Sequence, residues 1–183
     1  MADAPLRIDW VPQHLLADGA RGRLGLTFLP GKQGRSTRYP ERVYRRDLDA
    51  DLASLREAGV VRLVLLVEDA ELERWGAPGR PAHDWAPPVS RFPLPDGTAP
   101  ADAAAMDRIL EVIAEARATG DVAVACMGGV GRTGTVAACA LVAAGLSAAA
   151  AIDVVRGVRH PTAVETQEQE AFVRAYARHR SGA

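Results

Sequence analysis

Apolar positions fall into two alternating periods along this chain. Leu24 to Leu29, Val60 to Val67 and Val122-Ala123-Val124-Ala125 are short, nearly continuous apolar runs. Runs of this length, bounded by turn residues, predict strands buried on both faces. Between them the period changes. Leu48, Leu52 and Leu55 recur at helical spacing behind Asp47, an N-cap, and stop at Gly59. Glu68 to Trp75 predicts a short helix ended by Gly76 and Pro78, and the four prolines of residues 77–89 predict an irregular segment. Met106, Ile109, Leu110 and Ile113 form one face of a helix over 101–118 that Gly120 closes. Residues 136–155 are almost wholly apolar, but much of that is alanine. Gly145 and Ser147 interrupt the stretch and Asp153 falls inside it, so it reads as two buried helices rather than a membrane span. A last helix opens at Thr166 and Gln169 and runs to about Arg178. Strands separated by helices predict an α/β fold: a central, mostly parallel sheet of about four or five strands flanked by helices.

Composition narrows the class. The 183 residues are 48% hydrophobic and 25% charged, enough for one domain with a substantial core. A formal net charge of -1 argues against nucleic-acid or membrane-surface partners. Two cysteines, Cys126 and Cys139, imply no disulfide framework, and Cys139 reads as a small buried residue. The N-terminus lacks a basic-then-apolar leader pattern, so a cytoplasmic location is expected, where a thiolate stays reduced. The isolated histidines, His14, His83, His160 and His179, read as surface residues rather than metal ligands.

The chemistry concentrates in Cys126-Met127-Gly128-Gly129-Val130-Gly131-Arg132-Thr133-Gly134. A strand, a glycine-rich turn and a helix start leave backbone N–H groups without intrahelical partners, where the helix dipole favours an anion. Cys126 lies at the mouth of this turn, where oriented N–H groups and a guanidinium favour thiolate over thiol. Arg132 carries a planar fork that matches two oxygens of a tetrahedral oxyanion. The hydroxyl of Thr133 is placed to donate toward the sulfur.

A cysteine, five residues, an arginine and a hydroxyl residue is the spacing of the protein tyrosine phosphatase superfamily. The segment resembles the signature loop of its dual-specificity group, and more narrowly the kinase-associated phosphatase family. The likeness runs from about Leu24 to about Tyr176. It is carried also by Leu29-Pro30-Gly31, by residues 46–67, by Phe92-Pro93-Leu94-Pro95-Asp96-Gly97 and by Thr166-Gln167-Glu168-Gln169. The resemblance implies a single cysteine-dependent phosphatase domain over 1–183, with 24–176 family-like and 1–23 an extension without a motif. It implies hydrolysis of phosphotyrosine, phosphoserine or phosphothreonine in a protein or peptide through a cysteinyl-phosphate. Cys126 is the expected nucleophile, with Met127, Gly128, Gly129, Val130, Gly131 and Arg132 holding the phosphate. No metal and no cofactor are expected, because backbone donors and arginine supply the positive field.

Asp96 lies on a proline-bounded loop and matches the family's general acid, although Asp96-Gly97 also reads as a simple turn. Asp102, the competing acid, fits the dipole of the helix that follows. Gln169 completes a capping box with Thr166 and also matches a glutamine near the family's active site, where it could orient water. The basic stretch 32–46, with Arg35, Arg38 and Arg42, reads as a solvated loop, or as a lure for an anionic substrate. No aromatic phosphotyrosine-clamping motif stands upstream, which is consistent with a shallow site. The loop lacks the flanking lysines that a phosphoinositide would favour. One departure is plain: most relatives carry histidine immediately before the cysteine, where this chain has Ala125. That opens an alternative, a phosphate-binding interaction module with weakened catalysis. Sulfur transfer and arsenate reduction are further alternatives; the first does not require Asp96, and the second wants resolving cysteines better placed than Cys139.

Overall fold

The structure, a computed structural model, describes residues 4–16, 19–36 and 39–182. In chain order its strands are β1 (Asp9–Trp10), β2 (Leu24–Phe28), β3 (Gln33–Arg35), β4 (Val43–Arg45), β5 (Val60–Leu65), β6 (Val89–Arg91) and β7 (Asp121–Cys126). Its helices are α1 (Leu48–Glu57), α2 (Asp69–Trp75), α3 (Ala103–Arg117), α4 (Gly131–Ala143), α5 (Ala148–Val158) and α6 (Gln167–Ser181).

The main sheet has the order β1-β2-β7-β5-β6, parallel except for β1 at one edge. β7 is central because its side chains from Val122 to Cys126 are short enough for helices to close on both faces, and all of them are buried. Phe28 of β2 pairs with Cys126 and Leu65 of β5 with Ala125, so three strands end together beside the cysteine. In open parallel sheets the C-terminal strand ends are where ligands bind.

Helix caps follow the chemistry of their residues. Asp47 accepts from the Ala50 N–H, Asp102 from Ala105, Ser147 from Ala150 and Thr166 from Gln169. Asp102 is therefore a cap. The apolar stretch 136–155 is two helices joined at Gly145, and among the described residues no helix is long and apolar enough to cross a membrane. α4 is buried along nearly its whole length, against the sheet, α5 and α6.

Three segments differ from expectation. Within 32–46, β3 and β4 pair antiparallel where a loop was expected, with Arg35 and Arg42 still exposed; Arg38 lies outside the described residues. The hairpin is anchored by Asp51 of α1, which receives a bidentate ion pair from Arg46 and the Gly31 N–H at 2.8 Å. Gly31 has φ +68°, and a Cβ there would stand 2.9 Å from Leu48 Cβ, so this turn requires glycine. The proline-rich segment ends in β6, which pairs with β5. Residues before Leu24, which carry no motif, supply an edge strand and bury Leu6, Val11 and Leu16 in the same core as the sheet.

Candidate active site

Cys126 ends β7 and is 3% exposed. The chain then turns through Met127–Val130 into α4, whose N-cap, Val130, offers no side-chain acceptor. Among the described residues, no protein acceptor meets the backbone N–H groups from Gly128 to Thr133. Glycine is needed at Gly129 (φ +67°), where a Cβ would lie 2.2 Å from the Thr27 carbonyl; at Gly131 a Cβ would meet only the ends of the Glu165 and Gln169 side chains. The turn is therefore packed tightly from behind while its donors remain free.

Arg132 is 99% buried as a side chain, donates three hydrogen bonds and makes one further ion-pair contact. Nη1 donates to Glu71 Oε2 at 2.6 Å and to the Leu94 carbonyl at 2.8 Å. Nη2 donates to Glu71 Oε1 at 2.7 Å and lies 3.0 Å from Asp96 Oδ1. Nε is buried with no partner, and so is the Thr133 hydroxyl. The expected hydrogen bond from Thr133 to sulfur is not formed in this state. A buried donor without an acceptor is costly, on the order of 1–3 kcal/mol, and is seldom kept without a use.

Glu71 was not legible as a site residue. It closes the capping box of α2, accepting from the Glu68 N–H, and the same carboxylate grips Arg132 bidentately across 61 residues of sequence. Burial pushes the Glu71 carboxyl up, but the hydrogen bonds from Arg132 and Glu68 and the guanidinium charge outweigh it and hold it below its usual range. Burial would lower the Arg132 value; Glu71, with the charges of Cys126 and Asp96, raises it instead. The guanidinium stays charged and fixed.

Asp96 lies on the loop after β6, 82% exposed as a side chain, and reaches over to Arg132. That loop is held from below. The Thr166 hydroxyl donates to the Gly97 carbonyl at 2.8 Å, and Gln169 Nε2 to the Thr98 carbonyl at 3.0 Å. The Gln169 oxygen accepts from the Glu165 and Thr166 N–H groups. Gln169 is fully buried and packs beside Gly131. It is thus both a helix cap and a strut between the Asp96 loop and the cysteine turn.

The cleft over Cys126 holds about 340 Å³. Its floor is Cys126, Met127, Gly128, Val130 and Gly131, and its walls join segments far apart in sequence. Phe28, Tyr39 and Tyr44 make an aromatic side where no aromatic motif could be read, because they come from β2 and the hairpin. Arg7, Lys32 and Arg42 bring cations to the rim, and His160, read as a surface residue, also lines the cleft. Lys32 supplies the lysine that the loop itself lacks. Beneath the turn, Arg159 donates to the Gly129 carbonyl at 2.9 Å and the Gly128 carbonyl at 3.2 Å, and pairs with Asp9 at 2.6 Å. Neither Arg159 nor Asp9 had a sequence signal. Cys139 is buried in α4, where burial and then the charge of Asp107 push its thiol far up, which keeps it protonated and inert.

Comparison with known proteins accords with this geometry. Residues 42–181 match the family model described as Swiss Army Knife protein, DSP-PTPase phosphatase domain. The chain is 27% identical over 176 residues to cyclin-dependent kinase inhibitor 3 of Sus scrofa, covering 94% of this chain and 79% of that protein; the Rattus norvegicus protein is similar at 27% over 177 residues. The crystal structure of kinase associated phosphatase, with its catalytic cysteine replaced by serine, superposes with a TM-score of 0.82 over 99% of both chains at 23% identity. Tk-PTP in its active form gives 0.65 at 31% identity, over 87% of this chain and 97% of that one. The chain belongs to the family of dual-specificity-type (DSP-PTPase) phosphatase domains.

Proposed function

We propose that this protein is a phosphoric monoester hydrolase acting on phosphotyrosine, phosphoserine or phosphothreonine in a protein or peptide, through a cysteinyl-phosphate on Cys126. The observation that carries this reading is a set of donors without acceptors around one cysteine: the turn N–H groups and the buried Arg132 Nε and Thr133 hydroxyl. A tetrahedral phosphoryl group on Cys126 supplies acceptors for the turn N–H groups and Arg132 Nε, and the sulfur supplies one for Thr133.

The steps follow from placement. The Cys126 thiolate attacks phosphorus, and the equatorial oxygens take hydrogen bonds from the turn and from Arg132. Binding through Nε and Nη2 displaces Asp96 from Nη2, the least buried of the guanidinium contacts. Asp96 then gives its proton to the leaving oxygen as the phosphorus–oxygen bond breaks. It next takes a proton from water as water attacks the thiophosphate and sulfur departs. Thr133, with its hydroxyl uncommitted, donates to the departing sulfur. Gln169 spends its carbonyl on the helix cap and one N–H on the Asp96 loop, so its part is to position that loop.

Hydrolysis of p-nitrophenyl phosphate across pH is the direct test. Turnover should vanish in Cys126→Ser and fall roughly 100-fold or more in Asp96→Asn, within the range for a general acid. Full turnover in Cys126→Ser would remove the mechanism. Ala125 is fully buried and offers no side-chain hydrogen bond to the turn, which favours a second reading, a phosphate-binding module. An inactive wild type that still binds vanadate would establish that reading instead.

A further inference from the structure

The turn after β2 carries a charge that the steps above do not use. Lys32 is 7% exposed, which is rare for lysine unless it is paired. Its Nζ donates to the Met127 carbonyl at 3.3 Å, one residue beyond Cys126, and lies 4.2 Å from the centre of the Tyr44 ring. No carboxylate among the described residues forms an ion pair with it. Of the nearby acids, Glu71 and Asp96 are both engaged by Arg132, and the Glu68 side chain caps α2. The other titratable and charged groups lining the cleft are Arg7, Arg42, Arg159, His160 and one further carboxylate, Glu165, which lies against the Gly131 side of the turn; Arg35 stands on the hairpin. A buried ammonium of this kind is stabilised by an anion, and Cys126, next in the chain to the carbonyl it holds, lines the same cleft.

We propose that Lys32 is the charge partner of Cys126: a positioning residue, delivered by the hairpin, that stabilises the sulfur as thiolate where residue 125 has no donor to offer. The inference rests on reading Cys126 as the nucleophile. Several observations support it. Lys32 cannot drift away, because Gly31 is bonded to Asp51 and the Arg46 N–H is bonded to the Lys32 carbonyl at 3.1 Å. The Tyr44 face favours a cation over a neutral amine. Desolvation lowers the Lys32 value below that of an ordinary lysine, and the Cys126 charge works in the opposite direction.

The coupling is reciprocal, so it can be read from either partner. The rate of iodoacetamide alkylation at Cys126 should be followed against pH in the full chain, with Lys32→Met and Lys32→Arg beside it. Losing an opposite charge from the same cleft should move the acidic limb up by about one pH unit or more in Lys32→Met, while Lys32→Arg keeps most of the effect. In the other direction, NMR titration of labelled lysine in the unsubstituted chain and in Cys126→Ser should show Lys32 titrating lower once the sulfur is gone. That measurement decides alone if Lys32→Met does not fold. An alkylation profile unmoved in folded Lys32→Met, or a Lys32 titration unmoved by Cys126→Ser, overturns the pairing. Alkylation needs no turnover. A shifted profile in a protein without phosphatase activity would therefore keep the pairing and remove the hydrolase; turnover with an unmoved profile would do the reverse.

Discussion

Arg132 and Glu71 set the terms at the scale of single residues. A guanidinium that is 99% buried is tolerable only because a carboxylate, itself 11% exposed, meets both of its Nη atoms. Removing one partner of such a pair strands the other charge, at a cost of about 3–5 kcal/mol. Glu71→Gln should therefore destabilise the fold by about that amount and also release the fork, lowering kcat/KM by an expected tenfold or more. Denaturation by urea and steady-state kinetics read the two effects separately. The pH dependence has a definite sign. The Glu71 carboxyl is held down in the folded state, so its stabilisation is complete above the unfolded value of about 4.3 and is lost as pH falls through the lower folded value. Stability measured at about pH 6 and about pH 3 should fall less steeply in Glu71→Gln than in the unsubstituted chain.

Three elements meet at the site, and each does a separate job. The β7–α4 turn presents donors, α2 holds Arg132, and the N-terminus of α6 holds the loop that carries Asp96. The last connection rests on Thr166, whose hydroxyl both caps the helix through Gln169 and donates to the Gly97 carbonyl. Thr166→Ser keeps both bonds. Thr166→Val keeps the shape and loses both, which should cost about 1 kcal/mol from the cap. The free Asp96 loop should also show as a fall in kcat larger than any change in KM, whereas Thr166→Ser stays near the original values. Equal kinetics in the two variants would mean that α6 does not position the Asp96 loop for turnover. Beside this junction Val164 is held at φ +58°, which is unusual for a branched residue, and its N–H reaches the Val130 carbonyl at 3.3 Å.

Across the whole molecule, the site depends on a segment that carries no motif. Leu6 and Val11 are buried in the main core, β1 closes one sheet edge, and Asp9 neutralises Arg159 beneath the cysteine turn. Burying two such side chains is worth about 1.5–3 kcal/mol each, before the Arg159 pair is counted. Deleting residues 1–12 should thus lower Tm by roughly 10 °C or more for a chain of this size, with loss of turnover at temperatures where the full chain works. Thermal unfolding of the truncated chain, followed by circular dichroism, checks this; an unchanged Tm would show that the segment only decorates the fold.

Apolar period, caps and glycine placement determined the helices, the longer strands β2, β5 and β7, their mostly parallel sheet and the anion cradle, because each depends on neighbours within a few residues. Cys126, Arg132 and Thr133 were legible for the same reason, and the Asp102 cap and the Thr166–Gln169 box were as well. The short strands β1, β3, β4 and β6 were not, since two or three residues leave no period to read and pairing alone holds them. Glu71, Lys32, Arg159, Asp9 and the aromatic side of the cleft were decided only by tertiary structure. Each is an ordinary residue in its own segment and becomes part of the site when a turn, a hairpin or a strand edge carries it to the buried end of β7, where burial makes an unmatched charge costly and selects its partner.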